Sequence, residues 1–157
     1  MSYQEQFLRA AISLSREKMQ AGCGGPFGAV IVRDGQILGR GWNQVTTAND
    51  PTAHAEVVAI REACRSLKTF HLEGCEIYSS CEPCPMCLAA IYWARLGHLY
   101  FGSSRTDAAG AGFDDEFLYK EINAPLAIRK VSTEQFLREE AWAVLQEWMQ
   151  KPDKTPY

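Results

Sequence analysis

The sequence predicts an α/β fold, a three-layer αβα sandwich in which a mixed five-stranded sheet lies between helices on both faces. Three observations carry that expectation. The elements follow one another as helix, hairpin, helix, strand, helix, strand, strand and helix, an order that implies a sheet with helices on both faces. Crossovers through helices make the later strands parallel, whereas the early hairpin is antiparallel, so the sheet is mixed. The 157 residues are 46% hydrophobic, enough for one core, and without an internal repeat or compositional boundary a single domain over 1–157 is expected.

Residues 3–20 place Phe7, Leu8, Ala11, Ile12, Leu14 and Met19 at helical spacing, with Arg9, Arg16, Glu17 and Lys18 on the other side. This is an amphipathic helix, and Gly22, Gly24, Gly25 and Pro26 end it. Residues 27–33 and 36–43 flank Asp34-Gly35, a dipeptide suited to the positive backbone angles of a tight hairpin turn. Asp50-Pro51 then supplies a capping side chain and a proline, and residues 53–67 are helical through Val57, Ile60, Ala63 and Cys64. Residues 76–80 read as a short strand, Glu82-Pro83 as the start of a third helix ending near Gly97, and residues 99–102 as the next strand.

Residues 107–112, rich in glycine and alanine, lead into the acidic run Phe113-Asp114-Asp115-Glu116 and read as one long loop, a place where function concentrates. Residues 127–131 supply the fifth strand. Ser132 with Gln135 three positions on forms a capping-box signature for a last helix reaching about Gln150, and residues 152–157 are a terminal tail.

Charge and hydropathy restrict the function. Sixteen basic and nineteen acidic residues give a formal charge of -3, interspersed without a basic run, which speaks against a nucleic-acid partner. The longest apolar stretch, residues 87–94, is too short to cross a bilayer. Glu5, Arg9, Arg16, Glu17 and Lys18 interrupt any apolar segment a signal peptide would need, so a cytoplasmic protein is expected. There the six cysteines read as thiols or metal ligands, not disulfides. Cys23, Cys64 and Cys75 are scattered and read as small core residues; Cys81, Cys84 and Cys87 form a cluster.

The second and third helices are expected to begin at the same sheet edge. His54 then lies in the first turn of one, and Cys84 and Cys87 in the first turns of the other, on one face. Two thiolates and an imidazole suit zinc, and three protein ligands leave a fourth tetrahedral position open, as in catalytic sites. Helix N-termini favour thiolate over thiol. Cys81 and Cys84 also make a C-x-x-C pair; Cys84 and Cys87 are preferred because Pro83 fixes the helix start and puts Cys81 outside it. Glu56, two positions past His54, points elsewhere around the helix, yet its side chain can reach a metal-activated water and carry protons. His54-Ala55-Glu56 followed by Pro83-Cys84-Pro85-Met86-Cys87 is the zinc deaminase pattern H-x-E…P-C-x-x-C.

On those motifs the chain resembles the cytidine deaminase superfamily over nearly its whole length. Within it, Gly25-Pro26-Phe27-Gly28-Ala29, Gly41-Trp42-Asn43, Ser79-Ser80-Cys81-Glu82-Pro83-Cys84, Thr106-Asp107-Ala108-Ala109 and Ala111-Gly112-Phe113-Asp114-Asp115 resemble the bacterial guanine deaminases. The resemblance implies a cytidine deaminase-like fold and hydrolysis of guanine to xanthine and ammonia by zinc-activated hydroxide. It implies one zinc per chain on His54, Cys84 and Cys87, and Glu56 as proton shuttle. Asn43 and Asp115 are implied as substrate contacts, able to donate and accept at a purine edge. Phe27 and Trp93 can stack on a purine. The resemblance further implies a homodimer in which residues 132–157 pack on the neighbouring subunit, with Tyr157 at its pocket. The competing readings are a tRNA adenosine deaminase, a nucleoside deaminase acting on guanosine or cytidine, and a noncatalytic zinc-stabilised binding module.

Overall fold

The computed structural model describes residues 2–113 and 115–156. They fall into two compact units, one running to Asp115 and the other starting at Glu116. The first unit contains α1 (Glu5–Gln20), β1 (Gly28–Arg33), β2 (Gln36–Trp42), α2 (Val45–Ala48), α3 (Ala55–Leu67), β3 (Glu76–Cys81), α4 (Pro85–Trp93), β4 (His98–Ser103) and α5 (Arg105–Gly110). The second contains α6 (Glu116–Asn123), a 3-10 turn (Leu126–Ile128) and α7 (Arg138–Gln150).

The hairpin forms as its turn residues demand. Asp34 and Gly35 take φ of 51° and 74°, the sign a two-residue turn needs to follow strand twist. β1 pairs antiparallel with β2 and β3, β3 pairs parallel with β4, and the order is β2-β1-β3-β4. Gly28 lies opposite Trp42, and Ala29 opposite Ser79. The start of β1 and the ends of β2, β3 and β4 therefore share one sheet edge, where α3, α4 and α5 also begin.

Side chains alternate across a strand, and the core divides accordingly. Ala29, Ile31 and Ile77 bury with Ala55, Ala59, Ala63 and Ile91 of α3 and α4. Val30, Val32 and Tyr78 bury on the other face with Phe7 of α1. The first unit is thus three layers, with α1 on one side of the sheet and α3 with α4 on the other. α3 lies on β2 at backbone contact: a Cβ at Gly41 would fall 2.0 Å from the Ala55 carbonyl oxygen, and one at Gly39 would fall 2.5 Å from that of Ala59. Only glycine lets helix and strand approach so closely.

The sheet has four strands, not the expected five. Residues 127–131 do not join it, and Leu126–Ile128 is a 3-10 turn. Polar groups in this segment are satisfied locally. The Arg129 guanidinium donates to the carbonyls of Ala124 (3.0 Å) and Ile122 (3.2 Å), and the Lys130 N–H donates to the Glu121 carboxylate (2.8 Å). Ile128 and Val131 stay 71% and 76% exposed. The capping box at Ser132 does not form either. Leu137, at φ 50°, interrupts the chain just before α7 begins at Arg138.

Residues 107–112 are not all loop. Ser104 caps α5: its hydroxyl accepts from the Asp107 N–H, and the Asp107 carboxylate accepts from the Ser104 N–H (2.8 Å). Part of the acidic run starts α6. Asp50 closes a turn on Thr52 and does not cap α3, which begins at Ala55. In α4 the first helical residue is Pro85, not Pro83, and the helix stops at Trp93, before Arg95 at φ 60°. α2 is a single turn in the connection between β2 and α3.

Candidate active site

His54 and Cys84 occupy the same position on two helices. Each is the N-cap residue, in extended conformation, and neither side chain caps its own helix. A capping side chain ordinarily turns back onto the first turn's N–H groups. Here both turn toward each other, and Cys87, in the first turn of α4, joins them. His54 Nδ1 lies 3.7 Å from Cys84 Sγ and 3.5 Å from Cys87 Sγ, and all three donor atoms lie within 4.8 Å of one another.

These distances can be tested against an ion. Tetrahedral zinc with bonds of about 2.3 Å to sulfur and about 2.05 Å to nitrogen sets nitrogen and sulfur about 3.6 Å apart. The two separations in the structure bracket that value. Soft thiolate and imidazole donors match zinc chemically as well, so the residues present fit the metal. Cys81 is not part of the group. Its thiol donates to the Ser104 carbonyl (3.7 Å), and burial pushes it up to about 11.

The group's electrostatics suit a cation. The hydrogen bond from the Cys87 thiol, followed by the one with His54, draws Cys84 down to about 4. Cys87 is pushed up, chiefly by the same bond to Cys84. The hydrogen bond to Cys84 likewise raises His54 against the opposing effect of burial. Thiolates and a neutral imidazole are the forms that would hold a cation, so binding one here would release protons.

Glu56, in the first turn of α3, is 5% exposed, and burial raises its carboxyl above the ordinary range. Its Oε1 accepts from the Ser79 hydroxyl at 3.0 Å. Asn43 follows β2, and its Oδ1 accepts from the N–H groups of Gly25 (3.4 Å) and Val45 (3.3 Å). The oxygen is thereby assigned, and the Nδ2 donors are left for the cavity that Asn43 lines. Gly24, at φ 145°, packs against the backbone of the same residue; a Cβ there would lie 1.8 Å from the Asn43 main-chain carbonyl oxygen.

A cavity of about 340 Å³ collects His54, Glu56, Cys84, Asn43, Asp115 and Phe27 among its lining residues. Phe113, Glu82 and Arg105 also line it; the sequence puts Glu82 at a helix start and Phe113 in the acidic run but assigns none of the three to the site. Phe113 meets Phe27 edge-on, with ring centroids 4.8 Å apart and planes at 84°. The pair, with Cys81 and Ala108, also borders an adjoining cavity of about 520 Å³. The Glu82 carboxylate accepts from the Arg105 N–H (2.9 Å), tying the turn before α4 to the start of α5. Trp93 closes α4 at 65% exposure and is not among the lining residues, so the structure does not bring it to the cavity. Tyr157 lies outside the described residues.

Comparison with known proteins agrees with the geometry. Residues 1–103 match the family described as the cytidine and deoxycytidylate deaminase zinc-binding region. The chain is 52% identical over 153 residues to the guanine deaminase of Bacillus subtilis (strain 168), covering 98% of each. It is 38% identical over 147 residues to the tRNA-specific adenosine deaminase of Aquifex aeolicus (strain VF5), covering 94% of each. The X-ray structure of guanine deaminase from Bacillus subtilis superposes with a TM-score of 0.96 at 51% identity, covering 99% of both chains.

Proposed function

The chain belongs to the cytidine and deoxycytidylate deaminase family, and from that premise we propose that it is a zinc-dependent hydrolase that converts guanine to xanthine and ammonia. The observation that carries this reading is the likeness to the Bacillus subtilis guanine deaminase over 98% of both chains. The cavity's chemistry is consistent with it. Asn43 offers donors, and Asp115 offers a carboxylate that can accept from ring N–H groups.

His54, Cys84 and Cys87 hold the zinc, one per chain. When bound, zinc supplies a Lewis acid that activates water at neutral pH. Glu56 takes a proton from the attacking water and gives it to the ring nitrogen beside the carbon that bears the amine. The same carboxylate then takes the proton of the new hydroxyl and delivers it to the amine, which leaves as ammonia. Water and guanine are consumed, and xanthine keeps the first proton on its ring. Phe27, in T-shaped contact with Phe113, supplies an aromatic wall for the purine.

The protein is further proposed to work as a cytoplasmic homodimer in purine catabolism, with Tyr157 and the tail reaching the neighbouring subunit's pocket. Removal of the last residues then raises KM or abolishes turnover at unchanged zinc content; full activity in the truncated protein refutes that role. The substrate reading is tested by ammonia release from guanine, guanosine, adenine, adenosine, cytosine and cytidine in parallel. Selective turnover of guanine is expected. A zinc-loaded protein that leaves all of them intact would overturn it.

A further inference from the structure

β3 is buried along its whole length, yet it contains two adjacent serines. A buried hydroxyl without a partner is costly, so each must be bonded. The strand's alternation gives them different tasks. Ser80 Oγ accepts from the Gly28 N–H at 3.0 Å, where β1 begins. Ser79, 2% exposed, gives its only proton to Glu56 Oε1 at 3.0 Å. Both partners of this second bond are interior groups, and the bond joins the centre of the sheet to the first turn of α3.

We propose that Ser79 is a positioning residue that holds Oε1 of Glu56, so that both proton transfers run through the other carboxylate oxygen. This rests on Glu56 being the proton carrier. A glutamate has rotatable bonds whose freedom would let the carboxylate swing. Proton transfer needs the heavy atoms at hydrogen-bond distance along the reaction path, and a catalytic group must stay within about 0.5 Å of its productive position. Tying one oxygen to a rigid strand fixes the carboxylate plane. The other oxygen then receives the proton from water and releases it to the ring nitrogen without a change of seat, while the bond that the carboxylate takes from its own backbone N–H helps to hold it in place.

The Cys87 thiol also touches this carboxylate, but a thiolate on a metal has no proton to donate. Ser79 is therefore the side-chain donor that persists in the metal-loaded protein. The neighbouring Ser80 takes no part in this, because its hydroxyl is engaged by the Gly28 N–H.

The test uses the zinc-loaded protein, with Ser79→Ala and Ser79→Thr measured beside the wild type on guanine. Ser79→Ala is expected to lower kcat about tenfold or more, since small displacements of reacting groups have effects up to about a hundredfold, while KM changes little. The visible spectrum of the cobalt-substituted protein, which reports the His54, Cys84 and Cys87 shell, stays as in the wild type. Ser79→Thr restores most of the lost kcat. An unchanged kcat in Ser79→Ala overturns the proposal. So does a loss of kcat that comes with an altered cobalt spectrum and no recovery in Ser79→Thr, which is the mark of a structural role alone.

If the wild type leaves guanine untouched, the substrate reading fails separately. Ser79 is then judged by the infrared carboxylate band of protein labelled with 13C-glutamate. A shift of that band in Ser79→Ala supports the bond, and an unshifted band overturns the proposal.

Discussion

Replacing Gly41 by alanine should empty the metal site without altering a ligand. The new Cβ would lie 2.0 Å from the Ala55 carbonyl oxygen and 2.5 Å from the Ala59 nitrogen. A carbon and a carbonyl oxygen rest at about 3.3 Å or more, a shortfall on the order of 1 Å. Both obstructing atoms belong to the α3 backbone, so no side chain can turn aside to make room. The helix must lift off β2, and its first turn carries Glu56, with His54 at the cap. Metal–ligand distances tolerate about 0.2 Å, and an outward shift several times larger breaks the arrangement.

The cost in stability is about 2–3 kcal/mol from overpacking, which lowers Tm by about 4–12 °C for a protein of this size. Zinc analysis after gel filtration and a thermal melt provide the readings, with Gly39→Ala as the comparison. At Gly39 the Cβ meets the Ala59 oxygen at 2.5 Å and the Ala63 nitrogen at 2.8 Å, a similar collision one turn farther from the ligands. Both variants should melt lower, and Gly41→Ala should lose more zinc. A Gly41→Ala protein with wild-type Tm and zinc content would refute the claim that this glycine contact sets the helix position.

Other substitutions separate the roles within the site. Glu56→Gln should keep zinc but lose turnover by about 10²–10⁴; near-normal turnover would place the proton carrier elsewhere. Cys87→Ala should lose zinc and thermal stability together, because metal binding contributes to folding, and a chelator should lower the wild-type Tm toward that of the variant. Zinc retained in Cys87→Ala would remove this residue from the ligand set. Phe113→Ala opens the partition between the cavities of about 340 and about 520 Å³. The ratio of kcat/KM for guanosine to that for guanine should rise, and an unchanged ratio would show that Phe113 does not exclude the ribose.

What the sequence made legible were features with local causes. Asp34-Gly35 can hardly do anything but turn, and the hydrophobic spacing of α1 has one reading. The H-x-E and P-C-x-x-C patterns name their chemistry wherever the helices begin. Choices between equivalent local signals were harder. Pro83 and Pro85 both suit a helix start, and only the folded chain selects Pro85, which moves Cys84 to the N-cap. The Ser104 and Asp107 capping box was present in the letters, but the glycine and alanine around it suggested a loop.

Long-range features were not legible at all. Residues 127–131 have the composition of a strand, but their polar groups bond within their own unit, and no composition rule foresees that. Asn43 becomes an oriented donor because Gly25, 18 residues away, claims its oxygen. Ser79 meets Glu56 across 23 residues. The two serines of β3 need partners only because the folded chain buries the strand, which its sequence does not declare.

The likeness to a tRNA-specific adenosine deaminase over 94% of both chains means that family membership alone does not separate a free base from a base held in a polynucleotide. Electrostatics can. The chain carries a formal charge of -3, and the carboxylates of Glu82 and Asp115 line the cavity along with Arg105. A polyanion approaching them would have to be held by phosphate contacts whose counterion release makes binding steeply dependent on salt. With 6–10 such contacts, affinity falls by about 10³–10⁵ between 50 and 200 mM salt. Neutral guanine brings no phosphate, so its kcat/KM should stay nearly flat over that range. Titrating tRNA in a gel shift at the same salt concentrations supplies the other arm. Tight tRNA binding that weakens steeply with salt, together with poor turnover of free guanine, would reverse the assignment, because those two behaviours have a common cause only if the natural substrate carries its phosphates into the site.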